Sequence, residues 1–264
     1  MFGAIAGDVI GSVFEGSGLK TTEFRLLSSA NFYTDDTVLT AAIAAAILDQ
    51  GDYADFLRKF GRRHPGRGYG GNFHQWLSDE SIGPYNSWGN GSAMRVSPVG
   101  WAFDSVEEVL IEAKRSADVT HNHPEGVRGA QAVALSVYFA RCGAEKFEIR
   151  QEITARFGYD LTRTADEVRS GYSFDVSCQG SVPESIICFL DSDSFESAVR
   201  LAISLGGDAD TMACIAGGIA EAYYRALPES VELSVRKLLT SDLLEVIDRF
   251  RDKYCSTSKK LARL

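Results

Sequence analysis

Apolar residues recur along this chain at the three-and-four spacing of α-helices, and no apolar–polar alternation persists beyond four residues. Phe2, Ile5, Ala6, Val9 and Val13 fall on one helical face, while Gly3, Gly7 and Gly11 recur on another. An interior glycine costs a helix about 1 kcal/mol relative to Ala. Three of them predict either a helix pressed against another backbone or a segment that is partly loop. Val38, Ala41, Ala42, Ala45 and Leu48 form one stripe, and Leu39, Ile43 and Ile47 fill the rest. A helix apolar all round is a buried central helix. Further helices are expected at 53–62, in "NFHQWL", at 106–121, 125–142, 145–157, 182–191, 194–204, from Asp208 to about 227, and at 229–252. Ser105 and Glu108 have the spacing of a capping box, and Pro124 suits a first helical position. "GRRHPGRGYGG" (61–71) and "SIGPYNSWGNGSAMRVSPVGW" (81–101) read as loops. The expectation is one all-α domain over 1–255, compact and multi-helical, with a frayed tail over 256–264.

Composition narrows this only a little. The 264 residues are 45% hydrophobic and 24% charged, ordinary for a globular protein with a sizeable core. The net charge of −9 argues against general nucleic-acid binding. The five cysteines form no CxxC and sit mostly in apolar surroundings, so we expect buried free thiols and a reducing, cytoplasmic setting. Asp8 interrupts the apolar N-terminal stretch, which lacks a basic leader, and no run approaches the length of a membrane span.

Two places depart from the helical background. In "YTDDTVLTAAIAAAIL" (33–48), Thr34, Asp35 and Asp36 crowd the mouth of an apolar helix; in "ISLGGDADTMACIAGG" (203–218), Asp208, Asp210 and Thr211 do the same. Thr and Asp are good N-caps, and carboxylates suit the positive end of the helix dipole. Yet a helix start uses about one side-chain acceptor. If both buried helices begin on the same side of the core, four carboxylates converge, and a divalent cation is needed to keep them ionised. An all-oxygen ligand set suits Mg²⁺, with Mn²⁺ as a substitute, over zinc.

The ordered segments "GDVIGSVFEG", "YTDDT", "GNGSAMRVSPVGW", "THNHPEGVRGA", "SVPESIICFL" and "SLGGDADT" resemble the motif set of the ADP-ribosylglycohydrolases and run from residue 3 to about 225. That family includes the activating glycohydrolase of dinitrogenase reductase and the animal ADP-ribosyl-acceptor hydrolases. The resemblance implies a compact, orthogonal all-α fold with two magnesium ions at the base of a cleft. It implies metal-binding roles for Thr34, Asp35, Asp36, Asp208, Asp210 and Thr211. It matches Glu15 to a loop carboxylate involved in catalysis, Gly91 and Ser92 to a loop around the diphosphate and distal ribose, and His121 to a residue beside that ribose. The activity implied is hydrolysis of the bond between ADP-ribose and an acceptor. Arginine on a modified protein is the first expectation; serine or a non-protein acceptor stays open, as does a non-catalytic member that only binds ADP-ribose.

Asp36 and Glu15 are the candidate acid–base residues. Asp8 reads as a buried, hydrogen-bonded acid supporting the metal site. His121 and His123 lack the partners that zinc needs. Arg95 suits either a phosphate or a structural acid. The basic stretch 61–71 is either a solvated loop or a rim that meets the modified macromolecule. Tyr69, Tyr85 and Trp88 lie in loops and are candidates for stacking or for filling the core.

Overall fold

The structure is a computed structural model that describes residues 1–255; the tail expected over 256–264 lies outside the described residues. Its helices are α1 (Phe2–Gly11), α2 (Asp35–Asp49), α3 (Tyr53–Arg63), α4 (Gly71–Ser78), α5 (Gly91–Met94), α6 (Ser97–Ala102), α7 (Val106–Asp118) and α8 (Pro124–Cys142). They continue as α9 (Lys146–Phe157), α10 (Ala165–Gly171), α11 (Cys178–Asp191), α12 (Phe195–Ser204), α13 (Ala209–Tyr224), α14 (Glu229–Arg236) and α15 (Ser241–Phe250), closed by a π-turn at Arg251–Cys255. Among the described residues the only β-type pairing is one isolated bridge between Gly89 and Ser177.

The centre is the antiparallel pair α1 and α13. Every residue of α1 is buried, and its glycines explain how. A Cβ on Gly3 would lie 2.4 Å from the Gly217 carbonyl oxygen, on Gly7 2.0 Å from that of Ala213, and on Gly11 2.5 Å from Asp210 Cα. The two backbones therefore touch, and the glycine spacing is the imprint of that contact rather than of a loop. α2 packs beside α1 and is covered by α3, α6 and α15; α8 leans on α13 from another side and carries α5, α6, α7, α9 and α11. α2, apolar on all sides, is buried from Asp36 to Ile47.

Several boundaries differ from the sequence reading. Val13 lies beyond the end of α1 at Gly11. The stretch 81–101 contains α5 and α6, two helices too short to show a periodicity. α10 is likewise a seven-residue helix with a closed capping box between Thr164 and Glu167. α11 starts at Cys178, capped by Ser177, so Pro183 sits inside the helix rather than near its start. The expected helix 229–252 breaks after Arg236 and restarts at Ser241. At Ser105 the box is not closed. The hydroxyl accepts from the Glu108 N–H (3.2 Å) and donates to the Glu108 carboxylate (2.8 Å).

Cys178, Cys188 and Cys214 are buried thiols, whereas Cys142 is exposed and Cys255 half-buried. No helix of the described residues is long and apolar enough to cross a membrane.

Candidate active site

The C-terminus of α1 and the N-termini of α2 and α13 meet at one point. Thr34 caps α2, its hydroxyl accepting from the Asp36 N–H (3.3 Å). That leaves the carboxylates of the first turn free of capping duty. Across 175 positions of sequence, the Thr211 hydroxyl donates to Asp36 Oδ2 (3.3 Å). Thus the two acidic helix mouths do face each other. Asp8 lies beneath them, fully buried. Its carboxylate accepts from the Thr34 N–H (3.0 Å) and hydroxyl (2.7 Å), and from the Thr37 N–H (3.1 Å) and hydroxyl. With four donors aimed at it, Asp8 braces the α2 mouth.

Oxygens of Asp8, Asp36 and Asp210 lie within 4.8 Å of one another, as do those of Glu15, Asp208 and Asp210. Burial, then the charge of Asp210, pushes the Asp8 carboxyl up to about 7. Burial and the neighbouring Asp8 and Asp210 push Asp35 up to about 8. Burial and Asp210 also hold Asp36 and Asp208 well above the usual carboxylate range. Glu15 is raised chiefly by the Asp210 charge. Buried like charges at this separation raise one another's proton affinity, and a cation among them removes the penalty. Asp36 Oδ1 is buried with no hydrogen-bond partner. A buried carboxylate oxygen without a donor, in an all-oxygen set, fits a hard divalent ion.

A cleft of about 520 Å³ opens over this cluster. Glu15, Thr34, Asp35, Asp36, Asp208, Asp210, Thr211, Gly91 and His121 all line it. Asp35 belongs to neither carboxylate triad; it stands half-buried on the wall, its N–H donating to the Arg67 carbonyl (2.7 Å). Ser92 is the exception. It is fully buried, its hydroxyl donates to the Gly126 carbonyl (2.7 Å), and it is not a cleft residue, because the short helix α5 turns it toward α8. His121 is buried beside Tyr85 and bonds Thr120 through Nδ1 (2.7 Å).

Glu15 is exposed on a loop between α1 and α2, followed by Gly16 and Gly18, both at positive φ. The base of this loop is pinned. Lys20 donates to the carbonyls of Tyr172 (2.6 Å), Arg169 (3.2 Å) and Leu205, and Arg200 donates to those of Thr22 and Phe24. A Cβ on Gly206, itself at φ +70°, would fall 2.9 Å from the Gly18 carbonyl carbon. The loop therefore rests directly on the segment leading into Asp208.

The basic stretch is a wall of the cleft and is engaged within the molecule. Arg62 pairs with Glu80, Arg63 with Asp242, and Arg67 stacks over Tyr33 at 3.7 Å. Gly66, Arg67, Gly68, Gly70 and Gly71 line the cleft. Tyr69 stacks on Phe73 and belongs to the packing beneath. Trp88 is half-exposed at 49%.

Sequence reasoning missed Asn90, whose amide donates to Asp208 Oδ2 (2.8 Å) and to Ser181 (3.3 Å). The residue stood inside "GNGSAMR", but nothing local ties it to a carboxylate 118 positions away. It also missed Phe32 and Val176, which line the rim from segments without a motif.

The family model described as ADP-ribosylglycohydrolase matches residues 1–259. The chain is 28% identical to the ADP-ribosylhydrolase ARH3 of Mus musculus, an alignment covering 92% of this chain and 88% of that protein. It is also 28% identical to the ADP-ribosylarginine hydrolase Tri1 of Pseudomonas putida, covering 85% and 69% respectively. A solved structure titled "ADP-ribosylglycohydrolase-related protein complex" superposes with a TM-score of 0.70 and 25% identity over 95% of both chains. Five of the six ordered motifs therefore line one acid-floored cleft, and the chain belongs to the ADP-ribosylglycohydrolase family, a family of hydrolytic enzymes.

Proposed function

We propose that this protein hydrolyses the glycosidic bond between ADP-ribose and a modified acceptor, releasing ADP-ribose. The carrying observation is the convergence of the two helix mouths, with Asp36 and Thr211 in contact and two carboxylate triads beneath one cleft. The names of the relatives support the ADP-ribosyl specificity.

Asp36, Asp208 and Asp210, with Asp35, Thr34 and Thr211 beside them, are the residues that would hold two Mg²⁺ ions, with Mn²⁺ as a substitute. When bound, such ions supply Lewis-acid charge and acidify water in contact with them. Asp8 stays outside the ligand set, because its oxygens already accept four donors.

The reaction breaks the bond from the anomeric carbon to the acceptor atom and forms a bond from that carbon to a water oxygen. One water proton goes to a carboxylate, and one proton goes to the leaving acceptor. Positive charge develops on the sugar as the bond breaks, and the acidic floor favours it electrostatically. Glu15 suits the proton donor, since the Asp210 charge favours its protonated form and its loop reaches the cleft. Asp36, whose Oδ1 has no donor, suits the acceptor of the water proton.

For the acceptor we propose arginine first, with the name of the Pseudomonas relative in support; serine and non-protein acceptors are the alternatives. The test is incubation with Mg²⁺ and a panel of arginine-, serine- and nucleic-acid-linked ADP-ribose, with identification of the product. Free ADP-ribose from one of these supports the proposal and names the acceptor. Release of AMP or phosphate, or tight binding without turnover on any of them, overturns it.

A further inference from the structure

The segment leading into α2 alternates between core and solvent. Asn31 and Tyr33 are buried, whereas Phe32 between them is 47% exposed. Successive side chains of an extended chain point to opposite sides, so this pattern sends the Phe32 ring outward. The backbone is pinned in that register. The Asn31 amide donates to the carbonyls of Val9 (2.8 Å) and Ile10 (3.3 Å), and the Phe32 N–H donates to the Ser12 hydroxyl (3.2 Å). All three partners belong to the C-terminal end of α1. The ring stands outside the hydrophobic cluster, on the rim of the cleft.

Ser12 is also the stem of the loop that carries Glu15. Phe32 and Glu15 thus hang from one anchor, and both line the cleft. In the proposed reaction the leaving acceptor takes its proton from Glu15, so it departs on the side of the cleft that Phe32 rims. Tyr33 is already engaged: Arg67 stacks over its ring at 3.7 Å and donates to its phenol (2.8 Å). Phe32 leaves the same backbone on the opposite side, and its ring is open to an incoming group. A guanidinium is planar, always charged and weakly hydrated, and it stacks on aromatic faces. A serine side chain offers neither the plane nor the charge.

We infer that Phe32 is a specificity residue of this cleft, its ring the platform on which the guanidinium of an ADP-ribosylated arginine stacks beside Glu15. The inference rests on the proposed function and goes beyond it by naming the contact that separates arginine from serine. The anchoring to α1 is part of the device. A backbone fixed before the ligand arrives leaves less to order on binding, so a single stacking contact keeps most of its worth.

The experiment is calorimetric binding to the full chain with Mg²⁺. The probes are free ADP-ribose and one peptide carrying ADP-ribose on arginine or on serine. In both peptides a methylene replaces the distal ring oxygen, which blocks the oxocarbenium-like state and hence turnover. Phe32→Leu keeps an apolar side chain but removes the aromatic face. It should weaken the arginine-linked peptide about three- to tenfold, the range of one cation–π contact, and move the other two probes less than about twofold. Phe32→Trp should restore the wild-type affinity. Unchanged affinity for the arginine-linked peptide in Phe32→Leu overturns the inference. So does an equal loss for all three probes, or a parallel loss of Mn²⁺ affinity, since either makes the ring a structural part of the site. Wild-type binding of ADP-ribose and the serine-linked peptide but not the arginine-linked one overturns the inference alone. Binding of none of the three overturns the proposed function together with it.

Discussion

At the scale of single residues, the site divides labour among carboxylates that look alike in the sequence. Glu15 is exposed on a loop and Asp36 is buried with an unpartnered oxygen. Glu15→Gln should lower kcat by at least about tenfold, the low side of general acid–base effects, while leaving Mn²⁺ affinity by calorimetry nearly intact. Asp36→Asn should lower both; equal metal affinity in Asp36→Asn and wild type would remove Asp36 from the ligand set. The raised proton affinities give a signed pH effect. Asp8 and Asp35 rise from 3.8 to about 7 and about 8. The folded metal-free protein thus holds protons that the unfolded chain has lost, so this cluster costs stability as pH climbs through that window. Metal binds the deprotonated form. Mg²⁺ should therefore raise the melting temperature more at about pH 8 than at about pH 5, by calorimetry against a chelated control; equal increments would contradict this. The residue types at the two helix mouths were readable in the sequence, since a helix start cannot use so many acceptors as caps. The support from Asn90 and Arg67 was not, because each acts on a partner distant in the chain.

At the scale of elements, the contact of α1 with α13 carries the argument. Gly7→Ala forces a methyl to within 2.0 Å of the Ala213 carbonyl oxygen. Overpacking of this kind costs about 1–3 kcal/mol, against a gain in helix propensity of about 1 kcal/mol. The net destabilisation should show in urea unfolding, together with weaker Mn²⁺ binding, since Gly11 of the same helix abuts Asp210. Gly171→Ala, at a position with open space, should be neutral within about 0.5 kcal/mol. The loop that bears Glu15 offers a second test. Lys20→Met removes a donor shared by three carbonyls on neighbouring segments. Amide exchange across residues 12–30 should then quicken while that in α13 does not. The long helices were legible because their apolar stripes run for three turns or more. α5, α6 and α10 were not, because four to seven residues cannot display a period, and their starts depend on what they pack against.

At the scale of the whole molecule, one continuous hydrophobic cluster runs from Met1 to Phe250 and includes residues of nearly every long helix. We expect residues 1–255 to unfold as one cooperative unit, with helical circular dichroism and tryptophan emission tracing the same transition. Trp76 is buried and Trp88 half-exposed beside the cleft, so the emission reports on both core and site. Two separated transitions would reveal independent domains. The acidic cluster draws on the second helix and the thirteenth, with Asp36 and Thr211 175 positions apart. A nascent chain on the ribosome therefore carries half of this acidic cluster long before the other half exists. Until α13 has emerged and seated itself along α1, the early carboxylates have no counterpart, and any truncated translation product ending before Asp208 should be inert toward metal and nucleotide alike.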